Sequence, residues 1–118
     1  MHRPERIAET LREEIAQIVG YELEDPRLTS VTVTEVRVAG DLRDASVYVT
    51  VAGDEEEHNK ALRALQHAAP YVRKQLGFAL NLRHTPALHF VRDTVEEKAA
   101  RVDTLLEGIG SERMKDEG

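Results

Sequence analysis

Between Glu57 and Asp93 the chain contains no acidic residue, and this window holds Lys60, Arg63, Arg73, Lys74, Arg83 and Arg92, with His67, His84 and His89 among them. The whole chain has 16 basic and 22 acidic residues. With six of the basic ones in the window, the remainder sets ten cations against all the carboxylates. The formal net charge of −6 argues, taken alone, against a polyanionic ligand. Its segregation argues for one, because a cationic patch in an acidic body attracts phosphates at one place and discourages them elsewhere. Lys60, Arg63 and His67 are spaced three and four apart, along one face of a helix. Arg73 and Lys74 follow Pro70 by about one turn, and Arg83 lies beyond them. Pro70 removes a backbone donor and disfavours helical geometry at Ala69, so Ala68, Ala69 and Pro70 are expected to form a kink that divides the helix. A second helix starting there would add unpaired N–H groups to the cations around it.

The other reactive side chains assemble no chemistry. Glu13 and Glu14, and Glu55 to Glu57, fall on solvated helix surfaces or at a helix start, where no carboxyl would be desolvated into a general acid. His84 and His89 are five apart, which puts them on opposite faces of a continuous strand and leaves no shared metal. Thr29, Ser30 and Thr32 have no base in register, and there is no glycine-rich phosphate loop. The absence of Cys excludes a disulfide scaffold, a thiolate zinc site and a cysteine nucleophile. The expectation is a non-catalytic protein with no metal and no cofactor.

The elements that must hold the basic window are legible from periodicity. With 118 residues the chain is one domain. Ile7, Leu11, Ile15, Ile18 and Val19 recur at helical spacing from about Arg3 to Tyr21, and Asp25-Pro26 ends that helix. Leu28 to Val38 is rich in β-branched residues, but its apolar parity slips near Thr34 and Glu35, which predicts a bulge. Ala45, Val47, Val49 and Val51 alternate with polar residues, a second strand paired with the first as a hairpin. Asp54 caps a helix whose stripe of Leu62, Leu65, Ala69, Val72, Leu76 and Leu80 runs to about Leu82. Leu88 to Val91 is a third strand. Thr94 opens a last amphipathic segment with Val95, Ala99, Val102, Leu105, Leu106 and Ile109 on its apolar face. The order predicts a two-layer α+β domain with a three-stranded sheet over residues 1–109, and a flexible tail over 110–118. No run is long enough for a membrane helix, and the charged opening residues carry no signal-peptide core.

On particular residues the sequence resembles the ribosome-binding factor A family. These are Asp25-Pro26-Arg27, the run Val31 to Val36 leading to Asp41-Leu42, and Ala45 to Val49. They continue with Leu65 to Arg73, and with Leu82-Arg83, Pro86, Leu88, Phe90 and Asp93. The resemblance spans about Arg3 to Ile109. It implies a type II KH-like fold and RNA binding without catalysis. It also implies association with the free 30S subunit, and assistance in late 16S rRNA processing and 30S maturation, including at low temperature. The implied protein is a cytoplasmic monomer. Where KH domains clamp nucleotides with a G-x-x-G loop, the family carries an Ala-x-Gly kink. Ala68 matches it, but Pro70 stands in place of the glycine and offers no donor. Ala87 stands where the family often has an acidic residue. An alternative is an acidic protein–protein module whose first helix and tail dock a basic ribosomal protein or an assembly GTPase. Aromatic platforms for bases are few, with Tyr48 and Tyr71 the candidates and packing the expected role of each.

Overall fold

The computed structural model describes residues 4–100. Helix α1 (Pro4–Gln17) buries Leu11 and Ile15, and the wider π-helical turn that follows (Ile18–Glu22) buries Ile18 and Val19. Leu23 N–H donates to the Ile18 carbonyl at 3.1 Å, closing that turn five residues back. The Asp25 carboxylate then caps a short 3-10 turn (Pro26–Leu28), accepting from the Arg27 N–H at 2.9 Å and from its guanidinium at 2.7 Å. Leu28, expected to begin a strand, belongs to this turn and is buried.

Strands β1 (Val31–Val38) and β2 (Asp44–Val51) pair antiparallel, with the register shifting between Val33 and Glu35. The expected bulge is therefore present. It brings Val33 and Val36, of opposite parity, both to the buried side. It also aims the Thr34 hydroxyl across β2, within 2.6 Å of the Asp93 carboxylate and 3.1 Å of the Tyr48 carbonyl. Strand β3 (Ala87–Arg92) lies parallel to β2, giving the order β1-β2-β3. A parallel neighbour demands a long crossover, and helix α2 (Glu55–Leu80) supplies it. The core is the layer between the helices and Ala45, Val47, Val49, Leu88 and Phe90 on the sheet.

The segment 55–80 differs from its sequence expectation. Helix α2 is one continuous helix of 26 residues with Pro70 inside it, not two helices separated by a break. No second helix N-terminus exists at Pro70. The reason is the packing on either side. Ala61, Ala64, Leu65, Val72 and Leu76 are all buried, and their spacing stays in helical phase across the proline. Pro70 itself is exposed. Gln66, whose carbonyl lacks its usual donor, is exposed too, so the break in the ladder lies on the solvent side of the helix.

At its start α2 carries a full capping box between Asp54 and Glu57. At its end Asn81 adopts φ 52°, and Leu82 N–H returns to the Gly77 carbonyl at 3.0 Å. After β3, Thr94 accepts from the Glu97 N–H at 3.0 Å and opens a helical segment over 95–100. Its first apolar positions, Val95 and Ala99, are exposed. The remaining positions of that face and the tail 110–118 lie outside the described residues.

Two outcomes follow from these elements. Pro70→Ala restores a donor in an uninterrupted helix and should raise the unfolding free energy by about 1–3 kcal/mol in chemical denaturation. A loss of stability would show that the proline shapes α2. The second concerns Asp25, whose carboxyl is held down to about 2 by the Arg27 side chain and backbone N–H. The charged form is favoured in the folded chain, so this pair stabilises the fold above the ordinary carboxyl range and stops doing so as pH falls through 2. A carbon-detected titration should place Asp25 near 2 in the parent, and Arg27→Ala should move it up towards an unperturbed aspartate.

Candidate nucleic-acid interface

The side of α2 opposite its buried stripe carries Lys60, Arg63, His67, Pro70, Lys74, Gly77 and, at the cap, Asn81, in steps of three and four. Arg63, His67 and Lys74 are exposed and have no side-chain partner among the described residues. From Lys60 to Lys74 the row spans about 21 Å at the helical rise of 1.5 Å per residue. Arg83 continues it, exposed on the loop 81–86. One continuous helix thus aligns the expected cations more strictly than two helices would.

Two expected members have other engagements. Lys60 Nζ lies 3.3 Å from Glu56 on the preceding turn, so part of its charge is already matched. The Arg73 guanidinium is turned off the row and donates to the Thr85 carbonyl at 2.8 and 3.0 Å. It fastens the loop 81–86 to α2. Gly77 allows the same approach, since a Cβ there would stand 2.7 Å from Thr85 Oγ1. Ala68 and Ala69 are half-buried against the core, and of the expected kink residues Pro70 is the exposed one. Arg92 leaves the window altogether and pairs with Glu55 at 2.8 Å, tying β3 to the start of α2.

The histidines part company. His89 Nε2 is 2.8 Å from Asp44 Oδ1 on the neighbouring strand, and His84 is exposed on the loop. Among the described residues no group of three His, Asp or Glu converges, and no helix is long and apolar enough to cross a membrane. The aromatic residues are placed differently from their expectation in one respect. Tyr48 packs, at 8% exposure, but Tyr71 is 45% exposed and Phe78 is 70% exposed. Phe78 carries a signal the sequence reading passed over: it falls out of phase with the apolar stripe and one turn after Lys74.

An antiparallel hairpin extended by a parallel third strand, with α1 and the long crossover helix on one face, is a KH-like α+β domain. The family model of ribosome-binding factor A matches residues 3–106, and the chain belongs to that family. The ribosome-binding factor A of Desulfitobacterium hafniense is 48% identical over 117 residues, covering 99% of this chain and 94% of that one. The crystal structure of the Thermus thermophilus factor superposes with a TM-score of 0.69 at 33% identity, over 77% of this chain and 97% of the other. A Thermus thermophilus model fitted into the cryo-EM map of its complex with the 30S particle gives a TM-score of 0.64 at 34% identity, over 75% of this chain and 92% of that one.

The separate duties of adjacent cations are measurable. Arg73→Ala should lower stability by about 1–2 kcal/mol, because two charge-assisted hydrogen bonds to the Thr85 carbonyl are lost. Lys74→Ala should change it by less than about 0.5 kcal/mol, as an exposed charge with no partner does. Equal effects in thermal denaturation would remove Arg73 from its clamping role.

Proposed function

We propose that the chain is a non-catalytic assembly factor of the small ribosomal subunit. It binds the free 30S particle by laying the outer face of α2 against 16S rRNA, and so assists late 16S rRNA processing and 30S maturation. The observation that carries this reading is the row of exposed Arg63, His67 and Lys74, with no side-chain partner among the described residues, continued by Arg83 within a window that has no carboxylate. Such a row meets successive phosphates of an RNA backbone and orients the particle without reading sequence. The family membership supports it, as does the related Thermus thermophilus factor whose complex with 30S is known. Lys60 contributes less than its neighbours because Glu56 competes for it, and Arg73 contributes by holding Arg83 in place.

The acidic remainder serves this reading too. Exposed carboxylates on α1 such as Glu13 are unfavourable to RNA, which favours contact along α2. The same surface is the one open to a basic ribosomal protein or to an assembly GTPase. The factor works as a monomer in the cytoplasm.

Sedimentation with purified 30S, 50S and 70S particles tests the proposal. The parent should co-migrate with free 30S alone. Arg63→Glu combined with Lys74→Glu should lower that association at least ten-fold with an unchanged melting temperature. The association constant should fall with salt at a log–log slope of about 2–3, three or four phosphates being neutralised. Undiminished binding by the double variant would assign 30S recognition to the acidic surface, and a slope near zero would remove the phosphate contacts from it.

A further inference from the structure

The last two turns of α2 and the loop 81–86 enclose an open cavity of about 610 Å³. Its floor is low because the outward row has Pro70 and Gly77 at this level, neither of which projects a long side chain. Lys74 and Phe78 stand on the helix side, and Arg83 and His84 on the loop side. The loop is held by the Arg73–Thr85 bonds and by the Asn81 cap, so the cavity wall is fixed rather than collapsed. Phe78 is 70% exposed at its rim, a large apolar ring that no packing among the described residues accounts for.

We infer that this cavity is a subsite for one unpaired nucleotide, with its base stacked on Phe78 and its flanking phosphates between Lys74 and Arg83. This rests on the reading that α2 contacts RNA, and it extends contact from the backbone to a base. An apolar protein side chain would use the Phe78 ring but would set Lys74 and Arg83 against a neutral partner. A nucleotide uses both, since it carries a π-face and a phosphate in one unit, and Phe78, Lys74 and Arg83 line one cavity. No acidic side chain lines the cavity to oppose the phosphate. Segments of rRNA presenting a splayed base are therefore favoured over continuous duplex.

The experiment uses the full chain with two probes. One is a mixed-sequence single-stranded octaribonucleotide with a central 2-aminopurine, and the other is a fully paired RNA duplex of the same length. Phe78→Ala should weaken the single strand about 5- to 100-fold, remove the quenching of 2-aminopurine, and leave duplex affinity and the salt slope unchanged. Phe78→Trp should restore both affinity and quenching. Lys74→Glu should weaken both probes and lower the slope. Because Phe78 is exposed, the melting temperature of Phe78→Ala should match the parent and exclude a folding artefact. If Phe78→Ala binds the single strand like the parent while Lys74→Glu loses both probes, base stacking is wrong and the phosphate row stands. If it loses 30S co-sedimentation yet keeps single-strand affinity, Phe78 docks a ribosomal protein, and the subsite is likewise overturned. Failure of the parent to bind either RNA would overturn the α2 reading together with the subsite.

Discussion

The buried face of α2 governs what its outer face displays. Ala61, Ala64, Leu65, Val72 and Leu76 keep one helical phase for about four turns against the sheet, and none has more than 3% of its surface exposed. A helix held on that face has no freedom to rotate, so the residues half a turn away are fixed in line. The cationic row is the necessary complement of the apolar stripe. This is why Pro70 is tolerated: burying five side chains outweighs one missing backbone bond when that bond would have faced water. The same logic explains the bulge in β1, where a one-residue slip keeps Val33 and Val36 on one side of the sheet.

The charge pattern then acquires a structural division of labour. Arg92 and Arg73 spend their charge inside the domain, on Glu55 and on the Thr85 carbonyl. Arg63, Lys74 and Arg83 keep theirs for solvent. Arg73 and Lys74 are neighbours in sequence, yet a step of about 100° around the helix gives one a loop to hold and the other open water. Counting basic residues in the window therefore overstates the number available to a ligand, and for Arg73 and Arg92 the sequence alone holds no signal that shows it.

Most of the fold was legible because its elements obey local rules. The period-2 alternation of β2, the parity slip at Thr34, the Asp54 and Thr94 caps and the Asp25-Pro26 stop all correspond to observed features. The division of α2 at Pro70 was misjudged for a nameable reason. Helix-breaking by proline is a local preference, and the in-phase stripe on both sides was a tertiary signal already present in the sequence. Of the candidate site, the row from Arg63 to Lys74 and Arg83 was legible from charge spacing. The Glu56 partner of Lys60 was accessible from their four-residue spacing. The clamp by Arg73 was not, since it depends on a loop twelve residues away closing over Gly77. The exposed ring of Phe78 was accessible by phase and was missed.

The parallel pairing of β3 with β2 has a consequence for the order in which the molecule is completed. The hairpin of β1 and β2 and the body of α2 draw on contacts close in sequence, which form within microseconds. Strand β3 can dock only after the whole crossover helix has been traversed, so its registration with Asp44 to Val49 is a late, non-local event. The loop 81–86 is positioned by that same event, because its far end adjoins the first residue of β3. A chain caught before it would own a helix with a cationic row but no wall opposite. The cavity between α2 and the loop 81–86 is thus complete only once the final strand is in register.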